Sequence, residues 1–210
     1  MTGEEGALRD EMCRLAESLF ARGLTAGSSG NLSARLADGF LLTPTNSCLG
    51  FLEAGRLSKL DLSGAPVSGD PPTKEVPLHL SLYGARPQAG GVVHLHSTYA
   101  TALSCLADID PEDTIPAITP YVVMRVGRVP LVPYTRPGSA EVAPLIAARA
   151  PEHAALLLAN HGPVVSARTF RDAVFAAEEL EETAKLVLLT RGMAVRRLSE
   201  EAVSALRPGP

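Results

Sequence analysis

The chain has 210 residues and a net charge of −4; 46% of its residues are hydrophobic and 20% are charged. This length and composition are typical of a soluble globular protein, and we expect one domain over residues 1–210. The small net charge and the lack of a basic cluster exclude a broad nucleic-acid-binding surface.

Three features of the sequence predict a cytoplasmic protein without membrane contact. No apolar run approaches the ~20 residues that a membrane-spanning helix needs. The first residues, Met1 to Glu5, are acidic and do not resemble a signal peptide. The three cysteines form no C-x-x-C motif, which is typical of a protein from a reducing compartment.

The N-terminal segment predicts an amphipathic helix, because Leu8, Met12, Leu15 and Leu19 recur at helical spacing. The helix is expected to end near Gly23. Its apolar stripe is expected to pack against the core.

A loop of small residues follows over 25–33 and contains two glycines, which readily take positive φ. Loops of this kind are either plain surface turns or sites where backbone N–H groups and hydroxyls hold an anion. A strand from Asn31, a turn at Asp38-Gly39 and a returning strand then predict a β-hairpin. The hairpin leads into a second polar loop, 43–46, and brings both loops to the same end of a sheet, where they could hold one anion together.

Residues 53–70 carry several turn signals and predict a surface excursion. A helix is predicted next, from Thr73 as its cap to Arg86. Glu75 would lie in the first turn, where an acidic side chain complements the helix dipole without any further role. His79 follows one turn later, and nothing in the sequence requires it to be a ligand.

The stretch 91–97 predicts a short buried strand that ends in two histidines. Side chains alternate faces along a strand, so His94 and His96 point the same way, about 6–7 Å apart along the strand. Two imidazoles on one face can chelate one metal ion, although two unrelated histidines near a strand end would give the same pattern.

Helices and strands alternate over the rest of the chain. The sequence predicts helices at 99–106, 140–150, 170–191 and beyond 198, and strands at 131–134 and 154–158. The last strand ends in Asn160-His161-Gly162, a sharp turn at a strand end, where ligands gather in α/β sheets. The acidic run 178–182 is most simply a solvated helix face. The alternation predicts an α/β fold with helices on both faces of a sheet, and the hairpin means that the sheet is not all parallel.

A possible metal-ligand set consists of three imidazoles, from His94, His96 and His161, and the carboxylate of Glu75. These ligands fit Zn²⁺ or another divalent ion such as Mn²⁺ or Co²⁺. Three protein ligands with an open position are typical of catalytic metal sites. Because the set contains no cysteine, a zinc-finger site is excluded.

Six motifs, read in chain order, resemble those of the class II aldolase/adducin family. They are Gly27-Ser28-Ser29-Gly30-Asn31-Leu32-Ser33, Thr43-Pro44-Thr45, Glu75, His94-Leu95-His96, Tyr121 and Asn160-His161-Gly162. The resemblance extends roughly from Leu8 to Arg191. It implies a three-layer α/β/α sandwich with a mixed central sheet, and a homotetramer with its active sites at the subunit interfaces.

The resemblance also implies roles for individual residues. It implies a zinc ion held by His94, His96 and His161, with Glu75 as a further ligand or as the acid/base. In the sugar-phosphate aldolases of the family, the tyrosine that matches Tyr121 donates a proton. The resemblance assigns a substrate phosphate to residues of the small polar segments: Ser29, Gly30, Asn31, Thr45 and Thr73.

One departure from the family pattern concerns the residues before the glutamate. The fuculose-phosphate aldolases carry two small hydroxyl residues there, whereas this chain has Thr73-Lys74. A cation at this position suits a substrate with an extra carboxylate, unless Lys74 only neutralises Glu75. The segments around Lys74, Tyr121 and Asn160 resemble the branch that decarboxylates 3-oxo-tetronate 4-phosphates to dihydroxyacetone phosphate and CO₂, through an enediolate stabilised by zinc.

Three functions remain open at this point. The first is decarboxylation of a small phosphorylated sugar acid, with Glu75 protonating the enediolate and Lys74 orienting the substrate. The second is retro-aldol cleavage of a sugar phosphate of the fuculose or ribulose type, in which Tyr121 has an obligatory proton to move. The third is a non-catalytic scaffold of the adducin kind.

Overall fold

One sheet of eight strands forms the centre of the computed structural model, which describes residues 3–206. The strands are β1 (Asn31–Leu36), β2 (Gly39–Leu42), β3 (Ser58–Asp61), β4 (Pro66–Ser68), β5 (Gly91–His94), β6 (Leu131–Val132), β7 (Ala155–Leu158) and β8 (Gly162–Ala167). Their order across the sheet is β4-β3-β2-β1-β5-β8-β7-β6. Neighbouring strands are antiparallel except for β6 and β7, which are parallel. The prediction of a mixed sheet is confirmed.

Helices cover both faces of this sheet. Over residues 3–206 they are α1 (Gly3–Ala21), α2 (Val76–Ala85), α3 (Thr98–Ser104), α4 (Pro120–Arg125), α5 (Val142–Arg149), α6 (Phe170–Leu189) and α7 (Glu200–Leu206). On one face, Val93 of β5 shares a core with Met12 of α1 and Val174 of α6. On the other face, Val92 of the same strand shares a core with Leu82 of α2 and with α5. The three-layer α/β/α prediction is confirmed, and no helix of the described chain is long and apolar enough to span a membrane.

The structure differs from the prediction at residues 53–70, which supply β3 and the edge strand β4. Only Ser58 and Leu60 are buried in β3, and all three residues of β4 are exposed. The alternation of apolar and polar side chains that identifies a strand is therefore weak in this segment, while its turn signals are strong.

The ends of β1, β5 and β8 lie side by side at the same end of the sheet. His94, the last residue of β5, pairs with Asn31 of β1 on one side and with Val164 of β8 on the other. Gly30 permits this close approach, because its φ is +79° and a Cβ there would lie 3.0 Å from the carbonyl oxygen of His94. Gly162 has φ +147°, and a Cβ there would lie 2.4 Å from a backbone oxygen of the segment after β5. Both glycines let the chain pack tightly around the end of β5.

Candidate functional site

Four side chains from distant parts of the chain converge at this end of the sheet, beside the end of β5. The Nε2 atoms of His94, His96 and His161 lie 3.1–3.3 Å from one another. Glu75 faces them, with Oε2 3.3 Å from His94 Nε2 and Oε1 3.7 Å from His161 Nε2. The structure therefore brings together all four residues that the sequence predicts as a ligand set.

These separations match those of ligands around one metal ion. Four nitrogen or oxygen ligands at about 2.0–2.1 Å in a tetrahedron stand about 3.3–3.4 Å apart. Each neutral imidazole has only one N–H, so three Nε2 atoms aimed at one point cannot all be satisfied by hydrogen bonds to one another. The cluster thus fits a divalent ion held by three nitrogens and one carboxylate oxygen.

The imidazoles are held in the form that a metal requires. His94 Nδ1 donates to the carbonyl oxygen of Pro163 at 2.9 Å, which leaves the lone pair on Nε2 facing the cluster. Burial lowers the pKa of His94 to about 3, and burial also lowers the pKa values of His96 and His161. All three rings are consequently neutral at pH 7, which metal binding needs.

Glu75 occupies the N-cap position of α2, yet its side chain does not cap the helix. The predicted cap at Thr73 is wrong: the helix begins at Val76, and the Thr73 hydroxyl instead accepts from the Glu75 N–H at 3.2 Å. The interpretation of Glu75 as a dipole-complementing surface acid is also wrong, because its side chain is only 12% exposed and turns towards the histidines. Burial raises the pKa of Glu75, but the neighbouring His94 and the hydrogen bond from Asn31 outweigh this and lower it overall. Glu75 is therefore a carboxylate at neutral pH.

The model of one protein family, the class II aldolase and adducin N-terminal domain, matches residues 10–188. This chain belongs to that family. The membership predicted from the six motifs is confirmed.

Relatives within the class II aldolase/adducin family differ in their activity. A 3-oxo-tetronate 4-phosphate decarboxylase from Pectobacterium atrosepticum is 53% identical, over 96% of this chain and 93% of the relative. An L-fuculose phosphate aldolase from Haemophilus influenzae is 36% identical, over 88% of this chain and 84% of the relative. Among solved structures, YgbL from Klebsiella pneumoniae has a TM-score of 0.94 and 50% identity, covering 97% of this chain and 99% of that one. The higher identity to a decarboxylase agrees with the branch predicted from the sequence.

The polar segments predicted to hold phosphate meet in the structure. The Thr43 N–H donates to the Leu32 carbonyl at 3.0 Å, which joins the second loop to β1. The Thr73 N–H donates to the Thr43 carbonyl at 3.1 Å, which adds the segment before α2. These adjoining segments carry Ser29, Gly30, Thr45 and Thr73. Phosphate binding by these residues remains a prediction.

Asn31 has partners that the sequence did not suggest. Its Nδ2 donates to Glu75 Oε2 at 2.8 Å, and its Oδ1 accepts from His79 Nε2 at 2.6 Å. One amide hydrogen is left over, so a contact with substrate phosphate stays a prediction. The amide already has a second task, which is to hold Glu75.

Tyr121 and Lys74, the other two residues predicted to be catalytic, are not part of the cluster in a single chain. Tyr121 lies on α4 and is 58% exposed, and over residues 3–206 it forms no hydrogen bond with the four clustered side chains. Lys74 is exposed, and it forms no ion pair with Glu75 in the described part of the chain. The interpretation that Lys74 only neutralises Glu75 is therefore not supported.

A loop at 135–139 lines a small pocket together with Glu75 and His161. It packs against the segment before α2, because a Cβ at Gly138 would lie 3.2 Å from the carbonyl oxygen of Lys74. The loop carries Arg136, which is one of the residues that line this pocket. Nothing in the sequence marks this arginine, since it lies in a polar loop without a motif.

The acidic run 178–182 is not wholly a solvated helix face, and that interpretation is wrong for Glu181. This residue is buried, and its two carboxylate oxygens accept the N–H groups of Tyr99 and Ala100, each at 2.8 Å. Glu181 thereby caps the start of α3, just after His96. Ser97 holds the N-cap position but makes no capping hydrogen bond with its side chain.

Proposed function

We propose that this protein is a metal-dependent carbon–carbon lyase that decarboxylates a 3-oxo-tetronate 4-phosphate to dihydroxyacetone phosphate and CO₂. The observation that carries the proposal is the 53% identity to a decarboxylase of that name, over 96% of this chain. The site supports it, because the cluster of Glu75 and three histidines offers a metal site next to polar loops suited to a phosphate.

His94, His96 and His161 would hold the ion, with Glu75 as a further ligand in the resting protein. Zinc fits this set best, and Mn²⁺ or Co²⁺ are alternatives. The ion would supply Lewis-acid stabilisation of the negative charge that develops on the substrate oxygens.

The reaction breaks the bond between C1 and C2 of the substrate. The carboxylate leaves as CO₂, and its bonding electron pair is delocalised from C2 into the C3 carbonyl as an enediolate. Glu75 then delivers one proton to C2, and this proton comes ultimately from solvent. The products, dihydroxyacetone phosphate and CO₂, account for all atoms of the substrate and the added proton.

Binding of the substrate would use its two anionic ends. The phosphate would contact backbone N–H groups and hydroxyls of Ser29, Gly30, Asn31, Thr45 and Thr73. The carboxylate would meet Lys74 or Arg136, which flank the cluster and lack ion pairs in the described chain. Contacts far from the reacting bond position C2 near Glu75 and so contribute to kcat.

Retro-aldol cleavage of a sugar phosphate is the second candidate. It is favoured by the 36% identity to an L-fuculose phosphate aldolase and by the presence of Tyr121. In the cleavage direction, an aldolase needs Tyr121 to take the proton from the hydroxyl that becomes the aldehyde oxygen, whereas a decarboxylase releases no aldehyde. The complete cluster of three histidines and Glu75 supports an enzyme over a scaffold of the adducin kind.

We also propose a cytoplasmic homotetramer with active sites at the subunit interfaces. The exposed side chains of Tyr121 and Met124 on α4 support an interface there, since 58% and 53% of their surface is exposed in the single chain. Such an interface would allow Tyr121 of one subunit to approach the cluster of another. Light scattering of the purified protein measures the oligomeric state.

The test is to incubate the zinc-loaded protein with 3-oxo-tetronate 4-phosphates of both configurations at C2. We expect CO₂ and dihydroxyacetone phosphate in equal amounts, and the Glu75→Gln variant serves as the inactive control. Release of an aldehyde from fuculose or ribulose phosphates, without CO₂ from the oxo acids, would contradict the proposal and establish the aldolase.

A further inference from the structure

A chain of buried polar side chains connects the protein core to Glu75. Its members are Tyr83 and His79 of α2 and Ser33 and Asn31 of β1, none of them more than 7% exposed. Tyr83 Oη lies 2.9 Å from Ser33 Oγ, which lies 2.7 Å from His79 Nδ1. His79 Nε2 lies 2.6 Å from Asn31 Oδ1, and Asn31 Nδ2 lies 2.8 Å from Glu75 Oε2.

The spacing of these residues in the sequence explains why they meet. Glu75, His79 and Tyr83 follow one another at intervals of four, which places them on one side of α2. Asn31 and Ser33 are two apart, which places them on one face of β1. This side of α2 packs against this face of β1, so side chains of the helix and of the strand alternate along the series of hydrogen bonds.

Only one direction of hydrogen bonding satisfies all of these groups. The Glu75 carboxylate can only accept, so Asn31 must present its NH₂ to it and its carbonyl oxygen to His79. His79 must then carry its proton on Nε2 and accept at Nδ1 from the Ser33 hydroxyl. Ser33 in turn accepts from Tyr83. The hydrogen bonds that begin at Tyr83 in the core thus fix the orientation of the Asn31 amide.

His79 is suited to this role because it stays neutral. Burial lowers the pKa of His79 to about 4. A neutral ring has one donor and one acceptor, which are the two functions that Asn31 and Ser33 require of it. His79 is not itself a metal ligand in the cluster, since its Nε2 is already bonded to Asn31.

We propose that Tyr83, Ser33, His79 and Asn31 form a positioning relay that holds the Glu75 carboxylate on the histidine cluster. This inference rests on the proposed function for its catalytic consequence, but not for its effect on metal binding. With the relay intact, Asn31 always presents a donor to Glu75. Without it, the amide can turn and present its oxygen, which repels the carboxylate.

A pair of substitutions at His79 separates positioning from packing. His79→Leu fills the space but offers no donor to Asn31, whereas His79→Gln retains an N–H at the place of Nε2. We expect His79→Leu to weaken zinc binding by about 10- to 100-fold, measured by competition with a chromophoric chelator. We expect kcat to fall by a similar factor, with KM changed by less than about twofold, because Glu75 acts on bound substrate. For both zinc affinity and kcat, the logarithm of the fold-loss in His79→Gln should be at most half of that in His79→Leu.

A second pair of substitutions tests the relay without a change in size at the helix. Ser33 and Ser166 are both buried, and both pair with Val92 from opposite sides of β5. Ser166 donates to the Ala154 carbonyl instead and lies outside the relay. We expect Ser33→Ala to weaken zinc binding and reduce kcat about tenfold, and Ser166→Ala to change each by less than about twofold.

The relay would be overturned by parent-like zinc affinity and kcat in His79→Leu and Ser33→Ala, or by a His79→Gln variant no better than His79→Leu. Equal losses in Ser33→Ala and Ser166→Ala would also contradict it, because they would show a general packing effect. If the parent protein releases no CO₂ from the oxo acid, the proposed function fails, while the zinc-affinity measurements still decide the relay.

Discussion

Glu181 accepts the backbone N–H of Tyr99 at 2.8 Å, although the two residues are 82 positions apart in the sequence. Its other carboxylate oxygen accepts the N–H of Ala100, so one buried side chain caps the helix that follows His96. A long helix on one face of the sheet thereby fixes the path of the chain as it leaves a predicted metal ligand.

Replacement of Glu181 by alanine should therefore affect stability and the metal site together. Glu181→Ala leaves the buried N–H of Ala100 and the part-buried N–H of Tyr99 without this partner, and we expect the free energy of unfolding to fall by about 1–3 kcal/mol. Zinc affinity should fall by about tenfold, because His96 loses its support. Urea unfolding and chelator competition measure the two effects. The exposed neighbour is the control: Glu182→Ala should change stability by less than about 0.5 kcal/mol, and equal effects of the two substitutions would exclude the capping role.

The second prediction concerns the carboxylate in the cluster. Glu75→Gln keeps the size of the side chain but cannot transfer a proton, so we expect kcat to fall by about 10²–10⁴-fold. The three histidines remain, so the variant should still bind one ion, more weakly than the parent. Steady-state kinetics and metal analysis of the dialysed protein check both statements. Normal turnover would show that Glu75 is not the acid/base.

The third prediction compares His161, a predicted metal ligand, with His153, a histidine outside the cluster. His161→Ala should reduce zinc affinity by more than about 100-fold. Loss of a residue that only hydrogen-bonds a ligand lowers metal affinity by about 10- to 100-fold, and loss of the ligand itself should cost more. His153 lies outside the cluster, so His153→Ala is the matched control and should bind zinc like the parent. Isothermal titration of the metal-free proteins gives the affinities and the stoichiometry, which we expect to be one ion per chain.

The fourth prediction concerns pH and stability. Burial lowers the pKa of His79 to about 4, from 6.5 in an unfolded chain. Because the folded state binds the proton less well, the contribution of His79 is complete above pH 6.5 and is lost as the pH falls from 6.5 towards 4. Between pH 7.5 and 5.5, the metal-free parent should lose about 1 kcal/mol more stability than His79→Gln. Urea unfolding at both pH values gives this difference, and an equal loss in the two proteins would show that His79 does not titrate in this way.

The fifth prediction identifies the cation that recognises the substrate carboxylate. Lys74→Ser restores the residue type of the fuculose-phosphate aldolases, and Arg136→Gln removes the charge in the loop at 135–139. Loss of one charged hydrogen bond of about 1.5–3 kcal/mol lowers kcat/KM by roughly 10- to 150-fold. We expect this loss in one or both variants, with zinc binding intact, and no loss in Arg14→Gln, an exposed arginine of α1. Unchanged decarboxylation in the Lys74→Ser, Arg136→Gln double variant would show that neither side chain binds the substrate carboxylate.

The parts of the fold and site that the sequence predicts are those with a local signal. The alternation of faces along a strand predicts that His94 and His96 point together, and the hairpin turn at Asp38-Gly39 predicts that two polar loops meet. His161 could be added because it follows an apolar strand at a sharp turn.

The parts that the sequence misses depend on contacts between distant segments. A run of acids predicts a solvated face, and only the packing of α6 against α3 shows that Glu181 is buried. Similarly, the four-residue spacing of Glu75, His79 and Tyr83 gains its meaning only when β1 supplies Asn31 and Ser33.

The wide separation of the clustered residues along the chain has a consequence for folding. An unfolded chain offers a divalent ion only the neighbouring pair His94 and His96, because His161 is 67 positions from His94 and Glu75 lies before α2, in a different part of the chain. The complete set forms only after α2, β5, β7 and β8 have assembled, so an ion held by this cluster binds the native state in strong preference to the unfolded one. Each tenfold excess of free ion over its dissociation constant then adds about 1.4 kcal/mol to the free energy of unfolding. An ion held in this way would therefore also slow unfolding of the native protein, because the metal-free chain would lack this contribution to its stability.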